Sequence, residues 1–256
     1  MREPMQLSDY FDEMYRTHDR YWWREPGRHS LEPEDYPSSL LAQQTLRLLA
    51  PPPQGRALDI GAGEGSDAIR LALLGYEVDA VELSTVAAAK IEYFAKQVDV
   101  KVRVTIADAQ EYRPDGLYNV IICNGVLHYI EDKDTVISRM QEATCDGGIN
   151  VISLWSNYTP VPECHEFVPV YGDAEDGLVT SRYKAWPKEF IYFERDKPEA
   201  AHSDLPPHRH SHIKFIARKP APARETPDRG SAHALAHFLS LFRSPSAGFF
   251  RFSGRW

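Results

Sequence analysis

From residue 56 onward, short apolar runs alternate with longer stretches of helical period. Arg56 to Ile60, Asn119 to Asn124 and Ile149 to Trp155 are almost continuously apolar, as parallel strands covered on both faces are. Glu77 to Glu82 is read as the second strand. Val100, Val102, Val104 and Ile106 instead alternate with Lys101, Arg103 and Thr105, the period of a strand with one wetter face, which suits a sheet edge. Between the strands, Ser66 to Leu74 has a helical pattern closed by Gly75, and Ser84 caps a helix that turns Val86, Ile91, Phe94 and Val98 toward the sheet. Asp134 to Cys145 is helical by the spacing of Val136, Ile137, Met140 and Ala143, and Gly147-Gly148 releases it into the next strand.

Before this pattern, Ser38 and Ser39 cap a helix carrying leucines at 40, 41, 46, 48 and 49, which Pro51-Pro52-Pro53 cannot continue. After it, Phe190 to Glu194 and His212 to Arg218 form a terminal antiparallel hairpin with a polar connection, Lys197 to Pro207. The expectation is an α/β fold: a doubly wound, seven-stranded sheet ending in an antiparallel hairpin, with its ligand site at the carboxyl ends of the central strands. Three stretches follow, namely an N-terminal segment (1–37), the patterned domain (38–218) and a tail (219–256) with six basic and two acidic residues and no regular period, expected to be mostly disordered.

Composition narrows the partners. The 256 residues are 43% apolar and carry a net charge of −8, without a basic stripe in the first two hundred residues, so nucleic-acid binding is disfavoured. Cys123, Cys145 and Cys164 form neither a disulfide framework nor a zinc-ligand spacing, which fits a reducing, cytoplasmic setting. No apolar leader or spanning stretch is present, so no membrane partner is expected.

The chemistry concentrates in Asp59-Ile60-Gly61-Ala62-Gly63-Glu64-Gly65, which follows a strand and opens a helix. Alternate glycines let the backbone turn sharply and approach a ligand where a Cβ would collide. The GxGxG spacing departs from the dinucleotide GxGxxG, and Glu64 inside the loop would repel a phosphate, so a phosphate-free nucleoside is expected rather than a nicotinamide cofactor. Successive strand ends complete the site. Glu82 can accept both hydroxyls of a ribose, Asp108 with the N–H of Ala109 can read an adenine edge, and Asn124 stands beside Gly125.

These residues, with Asn124-Gly-Val-Leu-His-Tyr129, resemble the class I S-adenosylmethionine-dependent methyltransferases, with their Rossmann-like sheet, over about residues 40 to 218. Tyr183-Lys-Ala-Trp186, His202 and His212-Ile-Lys-Phe-Ile-Ala-Arg-Lys219 look like the small tellurite-resistance type, although Ser203 stands where that type has arginine. The resemblance implies S-adenosylmethionine as cofactor and a small-molecule acceptor. It implies Gly61, Gly63 and Gly65 along the methionine and ribose, Asp59 near the methionyl amine, Glu82 on the ribose, Asp108 and Ala109 on adenine, and Asn124 beside the methionine end. Azetidine-2-carboxylate synthases use the same fold to close the cofactor on its own amine. That alternative would employ Asn124, His128 or Tyr158 as catalytic groups orienting the amine.

Methyl transfer is an in-line displacement at an already activated carbon, so neither a nucleophilic side chain nor a metal is required. The N-terminal aromatics, Tyr10, Phe11, Tyr15, Tyr21, Trp22, Trp23 and Tyr36, are expected to form a helical lid whose rings attract a sulfonium and exclude water. His128 and Tyr129 are candidates for contact with substrate. His208, His210 and His212 share one face of a strand, but a metal site needs a ligand from a second element, so no metal is expected.

Overall fold

The computed structural model describes residues 5–19, 40–49, 55–162, 168–174, 177–201 and 206–222. The chain divides into two units, Met1–Ala221 and Pro222–Trp256. The tail beyond residue 222 lies outside the described residues, as do the Ser38-Ser39 cap, Tyr36, Cys164 and His202.

Seven strands make one sheet: β1 (Arg56–Ile60), β2 (Glu77–Glu82), β3 (Val102–Ile106), β4 (Tyr118–Asn124), β5 (Thr144–Ser156), β6 (Lys188–Glu199) and β7 (His208–Arg218). Their order is β3-β2-β1-β4-β5-β7-β6. The first five run parallel, and β7 returns antiparallel between β5 and β6. The chain reverses its direction of winding between β1 and β4, so their carboxyl ends flank the crevice where such sheets bind ligands.

Helices α1 (Leu7–Arg16), α2 (Leu40–Leu48), α3 (Ser66–Leu73), α4 (Thr85–Gln97), α5 (Lys133–Glu142) and α6 (Leu178–Arg182) surround the sheet. Leu41 of α2, Leu71 of α3 and Ile91 of α4 pack on one face with Ala57, Val78 and Val120. Val136, Ile137 and Met140 of α5 and Val179 of α6 cover the other with Leu58, Ile121 and Phe215. Double coverage explains why β1 and β4 are apolar at successive positions, while edge strand β3 leaves Arg103 and Thr105 exposed.

Several boundaries differ from the sequence reading, and the helix expected to reach Cys145 ends at Glu142. β5 begins at Thr144, ahead of Gly147-Gly148, because the register shifts between Tyr118 and Val120 and the glycine pair is accommodated inside the strand. A Cβ at Gly148 would lie 2.9 Å from the Cys145 carbonyl oxygen, so the irregularity needs glycine there. The hairpin strands are also longer than expected. β6 continues through Lys197 to Glu199 past a second register shift, where Asp196 takes φ +47°, and β7 starts at His208. Backbone pairing overrides the polar composition of this stretch. Among the described residues, no helix is long and apolar enough to cross a membrane.

Candidate active site

The glycine loop is held by the protein's own hydrogen bonds. Gly61 N and Ala62 N donate to the Val81 carbonyl at 2.7 and 3.0 Å, and Gly65 N donates to Ala62 O at 2.9 Å. Gly63 N donates to Glu82 Oε2 at 2.7 Å, and Ser84 N to Glu82 Oε1 at 2.8 Å. A pyrophosphate-binding turn instead aims its N–H groups at the ligand. Here those of Gly61, Ala62 and Gly63 are engaged with β2 and that of Gly65 within the loop, which disfavours phosphates for a reason independent of charge.

Positive φ angles of 67°, 56° and 84° at Gly61, Gly63 and Gly65 make the turn possible. Gly61 has a second constraint, since a Cβ there would sit 2.2 Å from Cγ2 of Val126, in the turn after β4. The two rims of the crevice therefore touch at Gly61 and Val126.

Three carboxylates gather at this end of the sheet. Asp59, at the end of β1, is buried, and its Oδ2 has no hydrogen-bond partner among the described residues. Burial, followed by the charges of Asp67 and Glu82, pushes its pKa well above the ordinary carboxylate range, against a hydrogen bond from the Ala68 N–H. Burial also raises Glu82, opposed by the N–H groups of Ser84 and Gly63. An unpartnered carboxylate oxygen in this setting is a receptor for a cation or a donor.

Glu64 points to Lys90 of α4. It is buried and paired with Lys90 Nζ at 2.8 Å, so its charge is compensated within the protein. The expectation that Glu64 repels a phosphate is corrected accordingly, and Asp59, Asp67 and Glu82 are the acids that set the local field.

The remaining strand-end residues are distributed around the crevice. Asp108 and Ala109 follow β3, half-buried, and Asp108 Oδ1 accepts the Gln110 N–H at 2.8 Å. Asn124 ends β4. Its Oδ1 accepts from Ser153 Oγ at 2.5 Å and its Nδ2 donates to Asp67 Oδ2 at 3.2 Å, linking β5 and α3 across the rim. It faces a cleft between α2 and α3 that reaches Asp67 and Thr45. His128 is buried in the turn Leu127–Tyr129, stacked on Trp155 of β5 with centroids 4.9 Å apart and planes 8° from parallel. Tyr158 lies outside this group. It is 56% exposed after β5, with the Arg195 guanidinium 5.4 Å from its ring centroid.

Helix α1 spans the crevice's rims. At one, Asp12 accepts hydrogen bonds from Ser84 Oγ at 2.6 Å, Thr85 Oγ1 at 2.9 Å and Val86 N at 3.2 Å, at the start of α4. Burial would raise the Asp12 pKa, but these donors hold it below the usual range. At the other rim, Phe11 meets Tyr129 edge to face at 5.2 Å. Lys90 donates to the Tyr15 carbonyl at 2.7 Å and the His18 carbonyl at 2.5 Å, neutralising the carboxyl end of α1. Tyr15 is buried against Ala87 between the helices, whereas Tyr10 is half-buried beside Phe11. Tyr21, Trp22 and Trp23 lie outside the described residues.

Sequence reasoning missed Asp12, Lys90, Val126 and Trp155. None carries a local signal, because each acts through a partner more than twenty residues away in the chain.

A model of the family described as "Methyltransferase domain" matches residues 34–218. The chain is 32% identical over 98 residues to the ubiquinone biosynthesis O-methyltransferase of Rickettsia typhi, covering 38% of this chain and 39% of that one. It is 24% identical over 151 residues to a probable S-adenosyl-L-methionine-dependent methyltransferase, TehB, of Haemophilus influenzae, covering 58% and 51%. The matches thus span about two fifths to one half of these relatives' lengths. The crystal structure of TehB from Haemophilus influenzae superposes with a TM-score of 0.61 at 20% identity, over 73% of this chain and 65% of that one. That of the N-methyltransferase NodS from Bradyrhizobium japonicum, in complex with S-adenosyl-L-homocysteine, gives 0.58 at 17%, over 83% and 98%. At such identities these structures speak for the fold. With a family model covering the whole sheet, and with the seven strands and terminal antiparallel hairpin that the sequence reading expected, the chain belongs to the methyltransferase domain family, of the class I, S-adenosylmethionine-dependent kind.

Proposed function

We propose that the crevice beside residues 59–65 binds S-adenosylmethionine and transfers its methyl group to a small-molecule acceptor. The observation that carries this reading is the unpartnered, buried oxygen of Asp59 beside Asp67 and Glu82, at a loop whose N–H groups are already engaged. The cofactor has two cationic centres, a sulfonium and an ammonium, and no phosphate. It fits an acidic pocket without an anion nest, whereas a dinucleotide does not.

In this reading Asp59 receives the ammonium and Glu82 the ribose hydroxyls. Gly61, Gly63 and Gly65 let the cofactor approach the backbone, Asp108 and Ala109 face adenine, and Asn124 borders the methionine end. When bound, the cofactor supplies the activated methyl group, and the protein's task is alignment and exclusion of water. Helix α1 over the mouth favours an acceptor small enough to pass its rim. His128 and Tyr129 are the groups we place nearest that acceptor.

Mass spectrometry of the purified protein with S-adenosylmethionine tests this. No turnover is expected without an acceptor, and S-adenosylhomocysteine is expected once a metabolite mixture supplies one. Methylthioadenosine formed from the cofactor alone would instead establish intramolecular cyclisation and overturn the transfer reading.

Asp59→Asn is expected to change stability and binding in opposite directions. A carboxyl whose folded pKa is raised contributes stability that is present at low pH and lost as pH rises through that pKa. The variant lacks this loss, so its melting temperature without ligand should exceed that of the parent by a margin that grows from acidic to neutral pH. Cofactor affinity should fall about 10- to 100-fold, the worth of a hydrogen bond to a charged group, and its increase with pH should flatten. Equal melting curves and equal affinity at pH 5 and pH 8 would remove Asp59 from the site.

A further inference from the structure

Outside the crevice, β6 and β7 bring together three side chains of metal-ligating type. The ligand atoms of Glu199, His208 and His210 all lie within 4.8 Å of one another. His208 Nε2 is 3.3 Å from Glu199 Oε2, and His210 Nε2 is 3.2 Å from the same oxygen. The two histidine side chains are 4% and 6% exposed, and the glutamate is 35% exposed, so the group opens to solvent on one side. Strand geometry accounts for the convergence. His208 and His210 are two residues apart and point to one face of β7, and Glu199 is the direct partner of His208 across the ladder.

The spacing matches that of a coordination polyhedron. With zinc bonds of about 2.0 to 2.2 Å to nitrogen and oxygen, the edge of a tetrahedron is about 3.3 to 3.6 Å. Two of the three edges among these ligands are already near that length.

The surroundings orient the rings. His208 Nδ1 lies 2.9 Å from the Pro206 carbonyl oxygen, which can only accept, so Nδ1 carries the proton and Nε2 is the atom aimed at Glu199. A backbone carbonyl on the far nitrogen is the outer-shell partner that ligating histidines use to fix their tautomer. His210 is clamped by Trp155, whose ring stacks on it at 5.3 Å and 24°. Neither ring nitrogen of His210 makes a hydrogen bond among the described residues, although the side chain is buried. Two buried imidazole nitrogens directed at one carboxylate oxygen call for a positive charge between them.

We infer that Glu199, His208 and His210 form a binding site for a divalent cation of borderline softness, with Zn2+ the best fit to two imidazoles and one carboxylate. Three protein ligands leave a fourth position open toward solvent, where water or an anionic donor binds. The site stands at the carboxyl end of β5, joined through Trp155 to His128 in the turn after β4. It does not depend on the identity of the methyl acceptor.

The full-length protein, stripped with a chelator, is titrated with Zn2+ by calorimetry and with Co2+ by visible absorption. One equivalent of Zn2+ is expected, with cobalt bands of the intensity of a four-coordinate site. Glu199→Gln and His210→Ala should each lower zinc affinity about tenfold or more, within the range set by loss of one ligand or its support. His212→Ala, which keeps all three ligands, should bind zinc as the parent does. Zinc should raise the melting temperature of the parent and not that of Glu199→Gln, a near-isosteric change at a partly exposed position. No zinc uptake at micromolar concentration, or uptake unchanged in Glu199→Gln and His210→Ala, would overturn the site and leave an ion pair in its place.

Discussion

Gly61→Ala is expected to abolish cofactor binding and to cost about 2 to 4 kcal/mol of stability. Two effects add. The residue sits at φ +67°, where an alanine pays for the left-handed conformation, and its Cβ would lie 2.2 Å from Val126 Cγ2. Something must move, and what moves is the contact between the β1 loop and the turn after β4, the two rims of the crevice. The double variant Gly61→Ala/Val126→Ala relieves the overlap but not the backbone strain, so it should recover part of the stability. Calorimetric binding of S-adenosylhomocysteine and thermal melts read both quantities. Native affinity and melting temperature in Gly61→Ala would show that the rims are not tied at this point.

Glu82→Ala is expected to be nearly as damaging by a different route. The carboxylate accepts the Gly63 and Ser84 N–H groups, and truncation leaves both donors without their partner. Each buried donor left unsatisfied costs about 1 to 3 kcal/mol. The consequences spread, because Ser84 caps α4 through the Ala87 N–H and also holds Asp12 of α1. Cofactor affinity should fall at least about 100-fold, since the ribose would lose a charged acceptor and the loop its anchor. Glu82→Gln keeps one acceptor and turns an amide donor toward the other N–H, so its losses should fall between those of the parent and of Glu82→Ala. Unchanged affinity in Glu82→Ala would refute the assignment of this end of the sheet as the binding site.

The two variants also separate what a reader of the sequence can see from what is hidden. Asp59, the three glycines and Glu82 were visible because each sits at the end of a run whose periodicity marks it as a strand, and strand ends in a parallel sheet converge by construction. That Glu82 also braces the glycine loop was not visible, because it depends on how closely β2 approaches β1. Glu64 shows the opposite case. Its place within the motif implied a repulsive charge facing the ligand, whereas its side chain turns to Lys90, 26 residues later, and is neutralised there. Tyr158, a group that could orient the amine in the cyclisation alternative, lies on the surface beside Arg195. The histidines of β7 were legible as one face of a strand, but their third partner belongs to β6, which the polar residues from Lys197 onward disguised as a connection.

The sequence by itself determined the alternation of strands and helices, the seven-stranded sheet with its terminal antiparallel hairpin, and the glycine loop that follows the first strand. Those follow from hydrophobic period, from glycine at positions of positive φ, and from the handedness of crossovers, all of which are local or nearly so. Only the tertiary structure decided which side chains face one another: Asp12 with the start of α4, Gly61 with Val126, Glu64 with Lys90, and Glu199 with His208 and His210. The physical reason is that charge, hydrogen bonding and metal ligation act over a few ångströms, and such distances between residues far apart in the chain are set by packing rather than by local pattern.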